Sequence, residues 1–146
     1  MLPRMSSHDG LKAYRHARKL AAMCRDAAST FPPHEAALAD QLRRAADSVV
    51  LNIGEGNGRG TNRQFRQFLE TARASLKEVE VVVDVADDAR LITGAALDAL
   101  RAQIDETART LYGLVRAIST RIERGESERF NRYGTRPRAP PDPPAA

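Results

Sequence analysis

Apolar residues recur along most of this sequence at alternating steps of three and four, the spacing of one face of an α-helix. Four segments follow this spacing, and no segment shows the strict alternation of apolar and polar residues that is typical of a strand. The first segment runs from Tyr14 to Phe31, where Pro32 and Pro33 end the helix. The pattern therefore predicts an all-α protein.

The other three segments cover residues 35–53, 61–86 and 94–122. Thr61 is spaced from Gln64 as in a capping box, which predicts the start of the third helix, and the fourth begins near Thr93 or Gly94. Four long helices with short connections predict an antiparallel up-down-up-down four-helix bundle. We expect a flexible N-terminus over residues 1–9, the bundle over 10–124, and a disordered Pro/Arg-rich C-terminal tail over 125–146. A tail that docks on a partner is the alternative.

The composition narrows the functions that such a bundle can have. The chain of 146 residues carries a net charge of +4, and 20 of its 23 cations are arginines. Aromatic residues make up 5%, without tryptophan, which argues against an aromatic platform for bases or sugars. A single cysteine excludes a disulfide framework. The arginine content fits either a GC-rich genome or selection for phosphate contacts, and the composition does not separate the two.

No segment has the pattern of a signal peptide, and the longest uncharged apolar stretch, residues 48–54, is too short to cross a bilayer. The predicted location is therefore cytoplasmic, without membrane contact.

The first helix has an apolar sector wider than one bundle seam requires. Leu20 and Met23 extend this sector beyond the seam to about half of the circumference, whereas a bundle helix needs a stripe somewhat over ~100° wide. The excess predicts a second packing surface and hence self-association. A wide face that is buried inside the monomer is the alternative.

The third helix separates its charges along its length. Its beginning is rich in cations, and its end carries five acids, Glu78, Glu80, Asp84, Asp87 and Asp88. This order opposes the helix macrodipole, which suggests an external reason. The reason is either a basic patch for a polyanion or a head-to-tail neighbour in an oligomer, in whose interface Val81 and Val85 would lie. A solvated face of mixed charge is the alternative. The cations are Arg59, Arg63, Arg66, Arg73 and Lys77.

Glycines stand at positions 54, 56, 58 and 60, between the second and third helices. Glycine at every second position predicts a turn with positive φ angles, in which Asn52, Gly54, Glu55 and Gly56 are structural. We expect Asn52 and Glu55 to satisfy backbone groups where the second helix ends. Binding of an anion by Arg59, Arg63 and the backbone amides near Thr61 is the alternative.

Few residues suit catalysis. Cys24 falls on the seam of the first helix, as a small core residue would, and His8, His16 and His34 lack the spacing of metal ligands. We therefore expect a protein that is not an enzyme and has no cofactor and no metal.

Several blocks of this sequence resemble the "four helix bundle protein" family, also called the 23S ribosomal-RNA intervening-sequence protein family. The most specific block is Asn52-Ile53-Gly54-Glu55-Gly56, and the resemblance extends over about residues 10–122. Gly54 stands where an alanine is usual, and Ala74 where a glycine is common. The other blocks are Phe31-Pro32-Pro33-His34-Glu35, residues 41–49, Phe65-Arg66-Gln67-Phe68-Leu69 and residues 74–79.

The resemblance implies a fold and an assembly more than a chemistry. It implies up-down-up-down bundles whose relatives assemble as homopentameric barrels, some of them encoded inside intervening sequences of 23S rRNA genes. A distant branch, the accessory variability determinant of diversity-generating retroelements, is a basic pentamer that binds a reverse transcriptase and nucleic acid. This chain looks closer to the intervening-sequence branch, whose members have no established activity.

These observations predict a non-catalytic homo-oligomer, by resemblance a pentamer, that presents a basic surface to RNA or DNA or to a nucleic-acid enzyme. The predicted surface is the cation set of the third helix, with Arg15, Arg18 and Lys19 of the first helix as a second patch. One alternative is a protein–protein adaptor whose charges serve assembly. Another is an accessory protein of a retroelement reverse transcriptase.

Overall fold

The computed structural model describes residues 8–126, which form four long helices without a strand in that range. The predicted all-α bundle is thus confirmed, while the expectations for residues 1–7 and 127–146 lie outside the described residues. A short 3-10 helix, Pro33–Glu35, connects the first two helices. The four helices are α1 (His8–Ser29), α2 (Ala36–Asn57), α3 (Asn62–Asp88) and α4 (Gly94–Glu123).

Each helix packs against two neighbours. Helix α1 packs against α2 and α4, and α3 packs against the same two helices, while the backbones of the diagonal pairs do not approach each other closely within the described residues. Short connections make consecutive helices antiparallel, so the starts of α1 and α3 and the ends of α2 and α4 lie at one end of the bundle. We call this the first end, and the opposite one the second end.

The face that α1 turns to the core is made largely of small residues. Ala13, Ala17, Cys24 and Ala28 are buried there, which lets the neighbouring helices approach closely. Leu20 is buried with them at 0% exposure, so its predicted place in an oligomer interface is wrong. At this position the wide apolar sector of α1 serves the core of the monomer, which is the alternative that the sequence left open.

The other residues predicted for an oligomer interface remain at the surface. Met23 is half-buried and packs against the core. Val81 and Val85 on α3 are 49% and 47% exposed, one turn apart. These two valines are available to a partner, and Met23 is available in part.

The glycine-rich stretch differs from the predicted turn. Helix α2 continues through Gly54 and Gly56 to Asn57, and positive φ angles in the described residues occur only at Arg90, Gly94 and Gly125. The prediction of positive φ in this stretch is therefore wrong. Gly56 instead permits close packing, since a Cβ there would lie 2.6 Å from Phe68 Cβ.

Local hydrogen bonds set where the other helices begin and end. Thr61 accepts a hydrogen bond from the backbone N–H of Gln64 at 3.1 Å, which confirms the predicted N-cap of α3. Helix α4 begins at Gly94 after Thr93, as predicted. At the end of α3, the N–H of Leu91 bonds to the carbonyl of Ala86, with Arg90 in the left-handed region at φ 57°. This arrangement is a Schellman motif whose left-handed position is normally glycine.

Candidate nucleic-acid interface

The cations predicted on α3 are not equivalent. Arg63 is exposed and Arg66 half-buried, and neither has an ion pair with any residue of the described range 8–126. Both lie in the first two turns of α3, at the first end of the bundle. Their charges are therefore available to an anion from outside.

The other three predicted cations pair with acids: Arg73 and Lys77 within α3, and Arg59, which lies in the connection before α3, with an acid of α2. Arg73 lies 3.2 Å from Glu70, and Lys77 lies 3.0 Å from Glu80. Arg59 pairs with Glu55 at 2.7 Å, and its guanidinium lies 4.7 Å from the centre of the Phe68 ring. An anion that binds these cations must compete with the carboxylates, so their contribution to affinity is smaller.

Two acids in the C-terminal half of α3 are paired with an arginine of α4. Arg101 on α4 lies 2.8 Å from Asp84 and 3.0 Å from Asp87. Hydrogen bonds to these two carboxylates raise the pKa of Arg101 further above its usual value. Part of the charge order that pointed to a head-to-tail neighbour is thus explained by packing of α4 against α3, a contact that the sequence of α3 alone does not reveal.

The predicted patch on α1 is exposed. Arg15 and Lys19 make no ion pair in the described residues, and the guanidinium of Arg18 lies 5.8 Å from the centre of the Tyr14 ring. Arg15 and Arg18 lie in the first half of α1, and Lys19 directly follows them, which places the patch toward the first end.

Helix α4 joins the two predicted patches. Helices α1 and α3 are diagonal in the bundle, and α4 packs between them with Arg109 and Arg116 on its exposed side. Arg109 pairs with Glu106, and this contact holds the pKa of the Glu106 carboxyl below its usual range. Arg116 has no ion pair in the part of the chain that the structure describes. These arginines could not be linked to the two patches from the pattern of single helices, because the position of α4 between α1 and α3 is a tertiary feature.

A second missed residue is Tyr112 on α4. Its side chain is 55% exposed, and the guanidinium of Arg116 lies 5.9 Å from the centre of its ring. The low aromatic content argued against a stacking surface, but composition cannot show that one tyrosine lies exposed between arginines. The i, i+3 and i, i+4 spacing of Arg109, Tyr112 and Arg116 would have indicated a shared helix face.

Asn52 and Glu55, which were expected to satisfy backbone groups at the end of α2, contact other groups instead. Asn52 donates a hydrogen bond to the carbonyl oxygen of Ser48 at 2.8 Å, inside the helix, so its predicted role at the end of α2 is wrong. Its amide also lies 3.1 Å from Ser48 Oγ, which is 2.7 Å from Ser75 Oγ on α3. Asn52 thus belongs to a polar contact between α2 and α3, and Glu55 is the partner of Arg59.

Two of the groups considered for catalysis, Cys24 and His16, have different surroundings within the bundle. Cys24 is buried, and burial followed by the charge of Asp47 raises the pKa of its thiol to about 12, so the thiol is protonated at neutral pH. His16 joins a polar contact between α1 and α4, in which the amide of Gln103 lies 3.2 Å from His16 Nδ1. Within residues 8–126, no three His, Cys, Asp or Glu side chains are grouped as metal ligands would be.

None of the helices within residues 8–126 combines the length and the apolar character needed to cross a bilayer.

A square of four antiparallel helices, of which α1, α3 and α4 carry surface cations without an ion pair in residues 8–126, defines a charged all-α bundle protein. The chain belongs to the 23S rRNA-intervening sequence protein family, whose model matches residues 9–113. The matched range covers α1 to α3 and the first two thirds of α4, and it confirms the resemblance seen in the sequence. A search of curated proteins found no match to the chain.

Proposed function

We propose that this protein is a non-catalytic, self-associating bundle that binds RNA through a basic face at the first end. The observation that carries the proposal is the presence of cations without ion pairs on three adjacent helices of the described range. We call this set the basic face. Its members are Arg15 and Lys19 on α1, Arg116 on α4, and Arg63 and Arg66 on α3.

Such a face neutralises phosphates and releases their counterions, so the affinity for RNA should fall steeply with salt. Phosphate contacts fix the position of a nucleic acid without reading its sequence, and sequence preference should therefore be weak. Arg73 and Lys77 add to the field of the face but stay engaged with Glu70 and Glu80.

The test is a titration of a structured RNA by fluorescence anisotropy at about 50 mM and about 200 mM salt. We expect binding at the lower concentration and a loss of affinity of at least roughly tenfold at the higher one. The double variant R63E/R66E should lose most of the affinity. The matched control is R43E/R44E, which reverses two arginines of α2 near the second end. Absence of binding by the wild type at low salt contradicts the proposal.

Self-association is supported by Val81 and Val85, whose exposed side chains form an apolar pair among the acids of α3. Native mass spectrometry should show an oligomer, and the family resemblance favours five copies. The variant V81S/V85S should reduce the assembled mass if this pair lies in the contact. A monomer in the wild type would contradict self-association.

The second candidate function is a protein adaptor, which is favoured by an apolar hollow of about 460 Å³ at the second end. Met23, Ala27, Leu91, Ile92 and Leu100 line it together with small polar residues. If R63E/R66E dissolves the oligomer before it affects RNA binding, the charges serve assembly, and the adaptor is the better reading.

A further inference from the structure

Tyr112 is unusual among the exposed large apolar residues of the described chain. The other three, Leu51, Val81 and Val85, are aliphatic, whereas Tyr112 offers a ring with a large exposed surface. Arg109 lies one turn before it on α4 and Arg116 one turn after it. An exposed ring between two guanidinium groups suits a planar ligand that carries negative charge.

At the neighbouring position, Gly113, neither packing nor backbone conformation within the described monomer requires a glycine. It lies in the interior of α4, is exposed and does not have a positive φ angle, and a Cβ built on it would meet no atom within 4 Å. Glycine is among the least favourable residues inside a helix, so an exposed glycine without a packing role needs another explanation. A ligand that approaches the backbone of α4 closely supplies one.

A hollow of about 560 Å³ lies beside the ring, between α3 and α4. Its floor is apolar, with Leu76, Ile104 and Leu111, and Tyr112 lines its side. Two of its carboxylates, those of Glu70 and Glu80, already pair with Arg73 and Lys77. The third, that of Asp105, lies seven residues from Tyr112, about two helical turns away.

We propose that the exposed side of α4 around Tyr112 and Gly113 binds an unpaired nucleotide of a single-stranded nucleic acid. The base stacks on Tyr112, the sugar–phosphate backbone of the strand passes over Gly113, and the flanking phosphates lie near Arg116 and Arg109. The inference rests on the proposed function, because the flanking phosphates need the basic face, but it adds a preference for unpaired over duplex strands. Tyrosine and arginine are the side chains on which unpaired bases commonly stack.

Charge favours a nucleotide over a helix of a second copy on this surface. Arg116 has no carboxylate partner in the described residues, and Arg63 and Arg66 on the adjacent α3 have none either. The exposed acids of α3 near the second end are partly engaged by Arg101. A polyanion compensates the free arginines directly, and its strand can continue along the basic face.

The experiment compares three labelled probes of equal length by anisotropy: a single-stranded ribo-oligonucleotide, the same strand with abasic sites at its centre, and a duplex. We expect the single strand to bind roughly fivefold to a hundredfold more tightly than the abasic strand, and more tightly than the duplex. Y112A should abolish that difference, with a loss of roughly fivefold to a hundredfold, whereas Y112F should retain it. A deoxyribose version of the single strand separates RNA from DNA as the source of the nucleotide.

Gly113→Ala gives an independent test because its two expected effects have opposite signs. Alanine should raise the melting temperature of the bundle and at the same time weaken binding of the single strand. If Y112A and G113A bind all probes as the wild type does, while R63E/R66E loses binding, this inference fails and the basic face stands. If no probe binds the wild type at low salt, the proposed function fails. A change of oligomer mass in Y112A assigns the surface to a contact between copies and overturns the inference.

Discussion

Gly56 on α2 lies so close to Phe68 on α3 that a Cβ on the glycine would be 2.6 Å from the Cβ of the phenylalanine. The same Cβ would lie 2.8 Å from Cδ2 of Phe65. The phenylalanine Cβ is tied to the backbone of α3 and cannot move by a rotamer change. This pair therefore sets how closely the C-terminal end of α2 and the N-terminal part of α3 approach each other.

Gly56→Ala should destabilise the protein by about 1–3 kcal/mol, the usual cost of overpacking, although alanine is the better helix former. Gly54→Ala is the matched control, since its Cβ would meet Tyr14 Cε2 at an ordinary 3.4 Å. The control should gain up to about 1 kcal/mol from helix propensity. Urea unfolding followed by circular dichroism measures both, and equal effects of the two substitutions would contradict the close approach.

Arg90→Gly should stabilise the protein by about 0.5–1 kcal/mol. Arg90 adopts φ 57° after α3, a conformation that costs a residue with a side chain roughly 1–2 kcal/mol. Glycine avoids this cost, but the greater conformational entropy of the unfolded glycine variant offsets part of the gain in stability. Arg90→Ala keeps the strained backbone and removes the same charge, so it should show no comparable gain. Thermal unfolding of both variants separates backbone strain from charge; a similar rise in both would assign the effect to the charge.

The buried thiol should make stability depend on alkaline pH. Because folding raises the pKa of Cys24 from 9.0 to about 12, its stabilising contribution is complete below pH 9 and is lost as the pH rises toward 12. By linkage the loss is about 1 kcal/mol near pH 10. Stability of the wild type should fall more steeply between pH 8 and 10 than that of C24A. Parallel curves would show that the thiol ionises freely in the folded state.

Arg101→Ala should destabilise the bundle at low salt, because Asp84 and Asp87 then repel each other and the C-terminal end of the α3 dipole. The loss should shrink at high salt, as expected for exposed charges. Arg44→Ala removes a pair with Asp40 inside α2 and should cost less. If salt leaves the difference between the two variants unchanged, packing of the Arg101 side chain is the cause.

The helices could be predicted from the sequence because apolar periodicity, the proline pair at 32–33 and the cap at Thr61 are local signals. The role of Gly56 could not, since it depends on where Phe68 comes to lie across the bundle. The burial of Leu20 inside the monomer could not be predicted for a related reason: periodicity gives the width of an apolar sector but not the helices that cover it.

The candidate site, too, could be predicted only as far as it depends on residues close together in the sequence. Arg63 and Arg66 could be found because they crowd the start of one helix. Lys77 and Arg59 looked equivalent to them, and only the positions of Glu80 and Glu55 show that they are engaged. The contribution of Arg116 required knowing that α4 lies between α1 and α3.

Because α1 and α4 are antiparallel neighbours, residues 8 and 123 emerge at the same end as the basic face. A fluorophore attached at residue 8 or 123 would therefore lie at the same end as the surface proposed to bind nucleic acid. The connection between α3 and α4, residues 89–93, is at the opposite end, about 30 Å away along the helices. A label placed there would lie away from the basic face and would leave the proposed nucleic-acid binding undisturbed.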